Sequence, residues 1–225
     1  MAEMSDGAPV RFPADAHSAM TMLSASYGRH AQIVTLVVPK RPVPVRLTPV
    51  QALLLADHGA LLLDGDPASA QLLMGATGAY QLGVVERARA RLDSHGVSSA
   101  LIYLGEPGRL RQPRDPREAS YVMDDTELHS LFPPDRPRLL VTHTRPEPYL
   151  GMLRRIDSGP ATTRALGYIN RGGTLDVEGL LFANRCSWAH AVCAAAELLG
   201  LETSAFLSDV ERASVEGRGD PNVLR

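Results

Sequence analysis

The stretch of residues 71–104 constrains the fold more than any other part of the chain. Residues 71–76 (QLLMGA) form an apolar run of strand length, and Gly75 to Gly78 supplies a tight turn. Residues 79–93 then read as a helix, with Val84, Val85, Ala88 and Leu92 on one face and Glu86, Arg87, Arg89 and Arg91 on the other. Ser94, His95 and Gly96 break that helix, and residues 98–104 give a second strand. A strand–helix–strand unit of this length joins parallel neighbours in one sheet.

The flanking sequence extends the same alternation. Asp15 is placed to cap a helix over residues 16–27, and Thr48 followed by Pro49 opens another to about residue 57. Residues 33–38 (IVTLVV) suit a buried strand, after which Pro39, Pro42 and Pro44 force a loop. Residues 60–63 are a further apolar run. Asp124 with Glu127 suggests a capping box for a short helix to Phe132. Strands are expected at 139–142 and 165–169, and helices at 149–156 and 184–199. The result is an α/β domain with a mostly parallel, doubly wound sheet and helices on both faces. Ligands in such sheets gather beyond the C-terminal ends of the strands. Lys40, the Gly75–Gly78 turn, the loop after Leu104 and His143 are therefore the candidate positions.

Composition narrows the classes of function. The 225 residues are 44% hydrophobic and 21% charged, enough for one core without disulfides or a structural metal. The net charge of −2 argues against nucleic acid or an anionic membrane as partner. No apolar run reaches membrane-spanning length, and Met1 to Asp6 carries no signal-peptide pattern. With two cysteines, a cytoplasmic setting is expected. Lys40 is the sole lysine among 23 basic residues, which reads either as a residue held by chemistry or as a chance survivor.

Several constellations have both a chemical and a plain reading. Gly75, Gly78 and Gly83 border a helix start, where backbone N–H groups attract phosphate; a simple strand–turn–helix joint is preferred, because neither dinucleotide nor Walker spacing is met. Cys186, His190 and Cys193 share one helix face and are zinc-compatible types, but three ligands along two turns converge poorly, so core packing is preferred. Asp64-Gly65-Asp66 reads as a turn before Pro67 rather than a cation loop. Arg218-Gly219-Asp220 is taken as chance, and no serine sits in a nucleophile elbow. Arg109, Arg111 and Arg114 form a basic loop that either meets an acidic partner or is simply solvated.

Three blocks carry a family resemblance. Residues 167–190 (GYINRGGTLDVEGLLFANRCSWAH) resemble the phosphoketolase signature at Gly167, Tyr168, Gly173, Thr174, Asn184 and the aromatic Trp188. Residues 125–141 (DTELHSLFPPDRPRLLV) resemble an upstream block of the same family, and His143 falls on its following histidine. Residues 11–42 resemble the stretch ending in A-G-K-Q-P, with its lysine on Lys40. The resemblance runs from about residue 11 to 200 and is to the C-terminal domain of phosphoketolases, thiamine-diphosphate enzymes related to transketolase.

That resemblance implies a transketolase C-terminal-domain-like fold over residues 11–213, with flexible ends at 1–10 and 214–225. It implies a small subunit of a split phosphoketolase-like or transketolase-like enzyme. Thiamine diphosphate and magnesium would sit on a large partner subunit, because the family's cofactor and catalytic motifs have no counterpart here. A homodimer is compatible with it. Lys40, with Arg41 beside it, would bind substrate phosphate; Pro39 and Arg41 replace the family's Gly and Gln, and its T-T-T-P-F-D run is degraded to Thr174-Leu175-Asp176-Val177-Glu178. The alternative is a non-catalytic binding or regulatory module for a phosphorylated metabolite.

Overall fold

The computed structural model describes residues 4–28, 32–169 and 173–225. In chain order the elements are β1 (Val10–Arg11), α1 (Ala16–Tyr27), β2 (Thr35–Leu36), α2 (Pro49–His58), β3 (Ala60–Asp64), β4 (Leu72–Thr77), α3 (Ala79–Asp93) and β5 (Ser99–Leu104). There follow α4 (Pro116–Ala119), α5 (Asp125–Leu131), β6 (Arg138–Thr142), α6 (Pro146–Met152), β7 (Thr163–Gly167), α7 (Val177–Ala183), α8 (Trp188–Leu199) and α9 (Asp209–Val215). Short 3-10 turns occupy Pro107–Leu110, Thr203–Ala205 and Pro221–Leu224.

Five strands form the main sheet in the order β3-β5-β4-β6-β7. All neighbours are parallel except β3, which runs antiparallel to β5 at one edge. The mostly parallel, doubly wound sheet expected from the strand–helix alternation is therefore present. Along β4, Leu72, Met74 and Ala76 face a core built with α3 and α8, while Leu73 faces a second core with Leu128 of α5 and Tyr149 of α6. Strands buried on both faces read as continuous apolar runs, which is why these segments show no alternation in the sequence. Gly75 lies inside β4 and not in the turn: a Cβ there would strike Leu140 and press Leu104.

The caps explain where the helices begin. Asp15 accepts from Ser18 N at 2.9 Å, and Thr48 from Gln51 N at 3.2 Å, each closing a capping box. Such caps contribute about 1 kcal/mol each. Asp124 accepts from Glu127 N at 2.9 Å, but the Glu127 carboxylate pairs with His58 Nδ1 at 2.6 Å instead of reaching back to its own cap.

Several expectations need correction. Of residues 33–38, Thr35–Leu36 form the strand, paired with β1 in a separate two-stranded parallel sheet, and Ile33 N and Val37 N donate to the Gly7 and Arg11 carbonyls beside it. Ile33 and Val38 are exposed, so this segment is not a buried strand. The helix expected at 149–156 starts earlier, at Pro146, whose fixed φ suits a first turn. The helix expected at 184–199 begins later, as α8 from Trp188, and a separate helix that the sequence reading lacks, α7, capped by the Asp176 side chain, ends just before residue 184. Arg185, at φ 55°, breaks the run between them. Cys186 thus precedes α8 and shares no helix with His190 and Cys193.

From Ser214 the composition suggests fraying, but in this structure the segment folds back onto the domain. Leu224 is buried, and its carbonyl accepts the Trp188 indole N–H at 2.7 Å. The guanidinium groups of Arg87 and Arg91 cover the Trp188 ring, 4.4 and 4.9 Å from its centroid. Part of the resemblance segment, residues 170–172, lies outside the described residues.

Candidate functional site

The strand order sets where a crevice opens. From β4 the chain passes through α3 to β5 on one side, whereas β6 lies on the other side of β4. The C-terminal ends of β4 and β6 thus flank a topological switch point. They are stitched together there: His143 N donates to the Thr77 carbonyl at 2.9 Å, and the Thr77 and Tyr149 hydroxyls are 2.6 Å apart. Gly78 follows at φ 107°, a conformation that favours glycine, and a Cβ on it would collide with Gln81 Oε1. No side chain caps α3, so its first-turn N–H groups are left to other partners.

A cleft of about 470 Å³ opens over this point, bordered by Lys40, Gly78, Gln81, His143, Tyr168 and Asp176. A second hollow of about 420 Å³ lies beside it and shares Arg41, Tyr80 and Asp176 with it. The proline-rich strap, residues 39–46, borders both. Tyr80 Oη accepts from Arg41 N at 3.1 Å, and Asp15 accepts from Arg46 N at 2.8 Å and Leu47 N at 2.7 Å. Arg46 also pairs with Glu86 at 2.8 Å. The strap's backbone is held at both ends, while the Lys40 and Arg41 side chains are exposed and make no hydrogen bond or ion pair among the described residues.

Lys40 borders this cleft together with His143 and the start of α3, although the strand before it, β2, belongs to the separate two-stranded sheet and not to the doubly wound one. The basic loop does not join them as a free surface. Arg109 and Arg111 are buried. Arg109 donates to the Asp57 carbonyl at 2.5 Å and stacks on Tyr121. Arg111 donates to Glu118, which also accepts from Arg114 N at 2.9 Å and Arg114 Nε at 3.0 Å. These bonds pull the Glu118 carboxyl down to about 2, chiefly through the Arg114 side chain, against the opposing cost of its burial. Neither a solvated loop nor an open acidic-partner site describes this segment.

The remaining constellations resolve into structure. Burial pushes the Cys186 thiol up to about 12 and the Cys193 thiol up to about 11, and it holds His190 down at about 4. His190 Nδ1 meets Ser187 Oγ at 2.8 Å. No group of three His, Cys, Asp or Glu side chains among the described residues is arranged to hold a metal ion. Asp64 pairs with Arg89 at 2.5 Å, and Asp66 accepts from Ala68 N and Ser69 Oγ, as a turn requires. Asp220 accepts from Asn222 N at 2.9 Å.

Gln81 and Tyr80 were not singled out in the sequence. They occupy the first turn of α3, where spacing alone shows two ordinary helical residues; only Gly78 hinted at what lies there.

Comparison with known proteins gives fold likeness. No family model and no curated protein matches the chain. Among solved structures, it is similar to a transketolase from Pichia stipitis in complex with sedoheptulose 7-phosphate, at 14% identity and a TM-score of 0.65, covering 86% of this chain and 25% of that one. A transketolase from Leishmania mexicana gives 13% identity and a TM-score of 0.61 over 89% of this chain and 28% of that one. A split-gene transketolase, described as an inactive beta4 tetramer, gives 13% and 0.61 over 87% of this chain and 59% of that one. At such identities the likeness establishes a transketolase-type domain fold. No helix among the described residues is long and apolar enough to cross a membrane.

Proposed function

We propose that the chain acts as the C-terminal-domain subunit of a split thiamine-diphosphate enzyme that cleaves or transfers two-carbon units of sugar phosphates. The observation that carries this reading is the likeness to the split-gene transketolase, of which the chain matches 59% with 87% of its own length. The finer assignment, phosphoketolase rather than transketolase chemistry, rests on the motif resemblance around Lys40 and residues 167–190.

In this reading thiamine diphosphate and magnesium belong to a large partner subunit, where the cofactor supplies the stabilised carbanion. This chain's residues orient the substrate. Lys40 is a point charge for a phosphate oxygen and Arg41 a second, planar donor set. The test is co-expression with a candidate large subunit from the same host. The two should co-purify and gain ketose-phosphate cleavage that neither has alone, and Lys40→Ala in the complex should raise KM about tenfold for the phosphorylated substrate, the loss of one charge-assisted contact. Failure to associate, with no gain of activity, overturns the reading.

A further inference from the structure

The solvent side of α1 and α2 is apolar, where a surface helix ordinarily presents charge. α1 carries no acidic or basic residue apart from His17, and α2 none before Asp57 and His58. Ser18 and Met22 turn α1 inward, and Ala52, Leu55 and Ala56 do so for α2. Met22 and Leu55 meet over Gly105, where an added Cβ would lie 2.7 Å from Met22 Cε and 2.9 Å from Leu55 Cδ1. The opposite sides of the two packed helices therefore open together onto solvent. There Met20, Leu23 and Tyr27 are spaced three and four apart on α1, and Leu53 and Leu54 stand three and four residues beyond Val50 on α2. Met20 is 70% exposed, Tyr27 81% and Val50 65%. The six side chains together present roughly 650 Å² of apolar surface, more than the largest patch of an ordinary monomer. None of them borders the cleft over Gly78 or the hollow beside it.

We infer that this face is a self-association surface, on which a second copy of the chain docks across a two-fold axis and buries α1 and α2 of both protomers in a four-helix contact. The area is what a stable contact needs: a standard interface takes about 800 Å² from each partner, which the six side chains and a thin polar rim supply. The missing charge favours a second copy over a foreign chain. Complementary charges steer two different surfaces together and fix their register. A two-fold axis sets the register of identical faces by itself, and with no charge on either face there is nothing to repel. Homodimer contacts are the more apolar class, and interface cores are enriched in aromatic residues and methionine, which Tyr27 and Met20 supply. The inference does not depend on the split-enzyme reading, because it needs neither large subunit nor cofactor.

Light scattering on the full chain at micromolar concentrations tests it. The mass should be twice 24.2 kDa. Leu53→Asp should weaken the dimer at least about 100-fold, because the two-fold axis puts two carboxylates into one apolar contact, while the far-ultraviolet dichroism stays that of the parent. Met20→Asp, on the other helix, should do the same, and it stands in should Leu53→Asp fail to fold. Val210→Asp, at an exposed apolar residue of α9, which packs on α8, should leave the mass doubled. A parent that stays at 24.2 kDa, or a dimer that both face variants leave intact, overturns the inference. So does a monomeric parent whose capture by a candidate large subunit is lost in Leu53→Asp: the face then belongs to that subunit, and the split-enzyme reading gains. A parent dimer that Leu53→Asp disperses upholds this inference; if that dimer also captures the large subunit, both readings stand, and if it captures none, the split-enzyme reading alone falls.

Discussion

The strap at residues 39–46 and the loop at residues 105–118 are both rich in arginine, proline or glycine, and both follow a strand, yet they end up opposite in character. In the loop, Glu106 and Glu118 lie within reach of the arginines, and the segment folds inward around them. Glu106, almost wholly buried, meets Arg11 Nε at 2.8 Å, Arg109 Nε at 3.5 Å and the Tyr121 hydroxyl. In the strap, residues 39–46 contain no acidic residue; Arg46 reaches Glu86 of α3, while Lys40 and Arg41 remain in solvent. Cations become a buried scaffold where carboxylates of the same segment fold in among them, and stay exposed where the segment carries none of its own.

The largest test of that contrast removes Glu106. Glu106→Ala leaves the fully buried Arg11 and its neighbour Arg109 without their carboxylate and should cost about 3–5 kcal/mol, read as a fall in the denaturation midpoint. An unchanged midpoint would mean the loop is not the scaffold described. Acid gives a smaller effect from Glu118. Its folded pKa of about 2 lies below the ordinary 4.5, so it contributes stability above pH 4.5 that is lost as pH falls toward 2. Stability of Glu118→Gln relative to the parent should therefore be pH-dependent across that window and flat above it; a flat difference throughout would refute the pairing. Smallest is the strap. Lys40→Ala and Arg41→Ala should each change stability by less than about 0.5 kcal/mol, since neither side chain is engaged. A larger loss in either would show that the strap, too, is structural.

How much of this was readable beforehand follows the same physics. The strands at 72–77, 99–104 and 138–142 and helix α3 were legible, because burial on both sheet faces and a one-sided apolar stripe are local properties of sequence. The placement of Lys40 beside the cleft was not, since the strand before it belongs to the small β1–β2 sheet and reaches the cleft only through the proline-rich strap. The two-residue pairing of β1 with β2 was not legible: it depends on residues 25 positions apart, and the β-branched content of residues 33–38 suggests a longer strand than forms. The break at Arg185 was hidden because nothing there is glycine or proline. Gln81 was invisible as a site residue, since a buried amide lacking a partner is a fact about its surroundings and leaves no spacing signature. The burial of Arg109 and Arg111 needed Glu118 to fold back, which charge counting along the loop cannot show.

Trp188 is the chain's one tryptophan, and it sits between the main core, two guanidinium groups and the carbonyl of Leu224. Its emission is consequently a built-in optical gauge of whether the last residues are seated. Release of that segment ahead of global melting should redden the fluorescence while the far-ultraviolet dichroism stays constant, separating local detachment from loss of the whole domain without any added label.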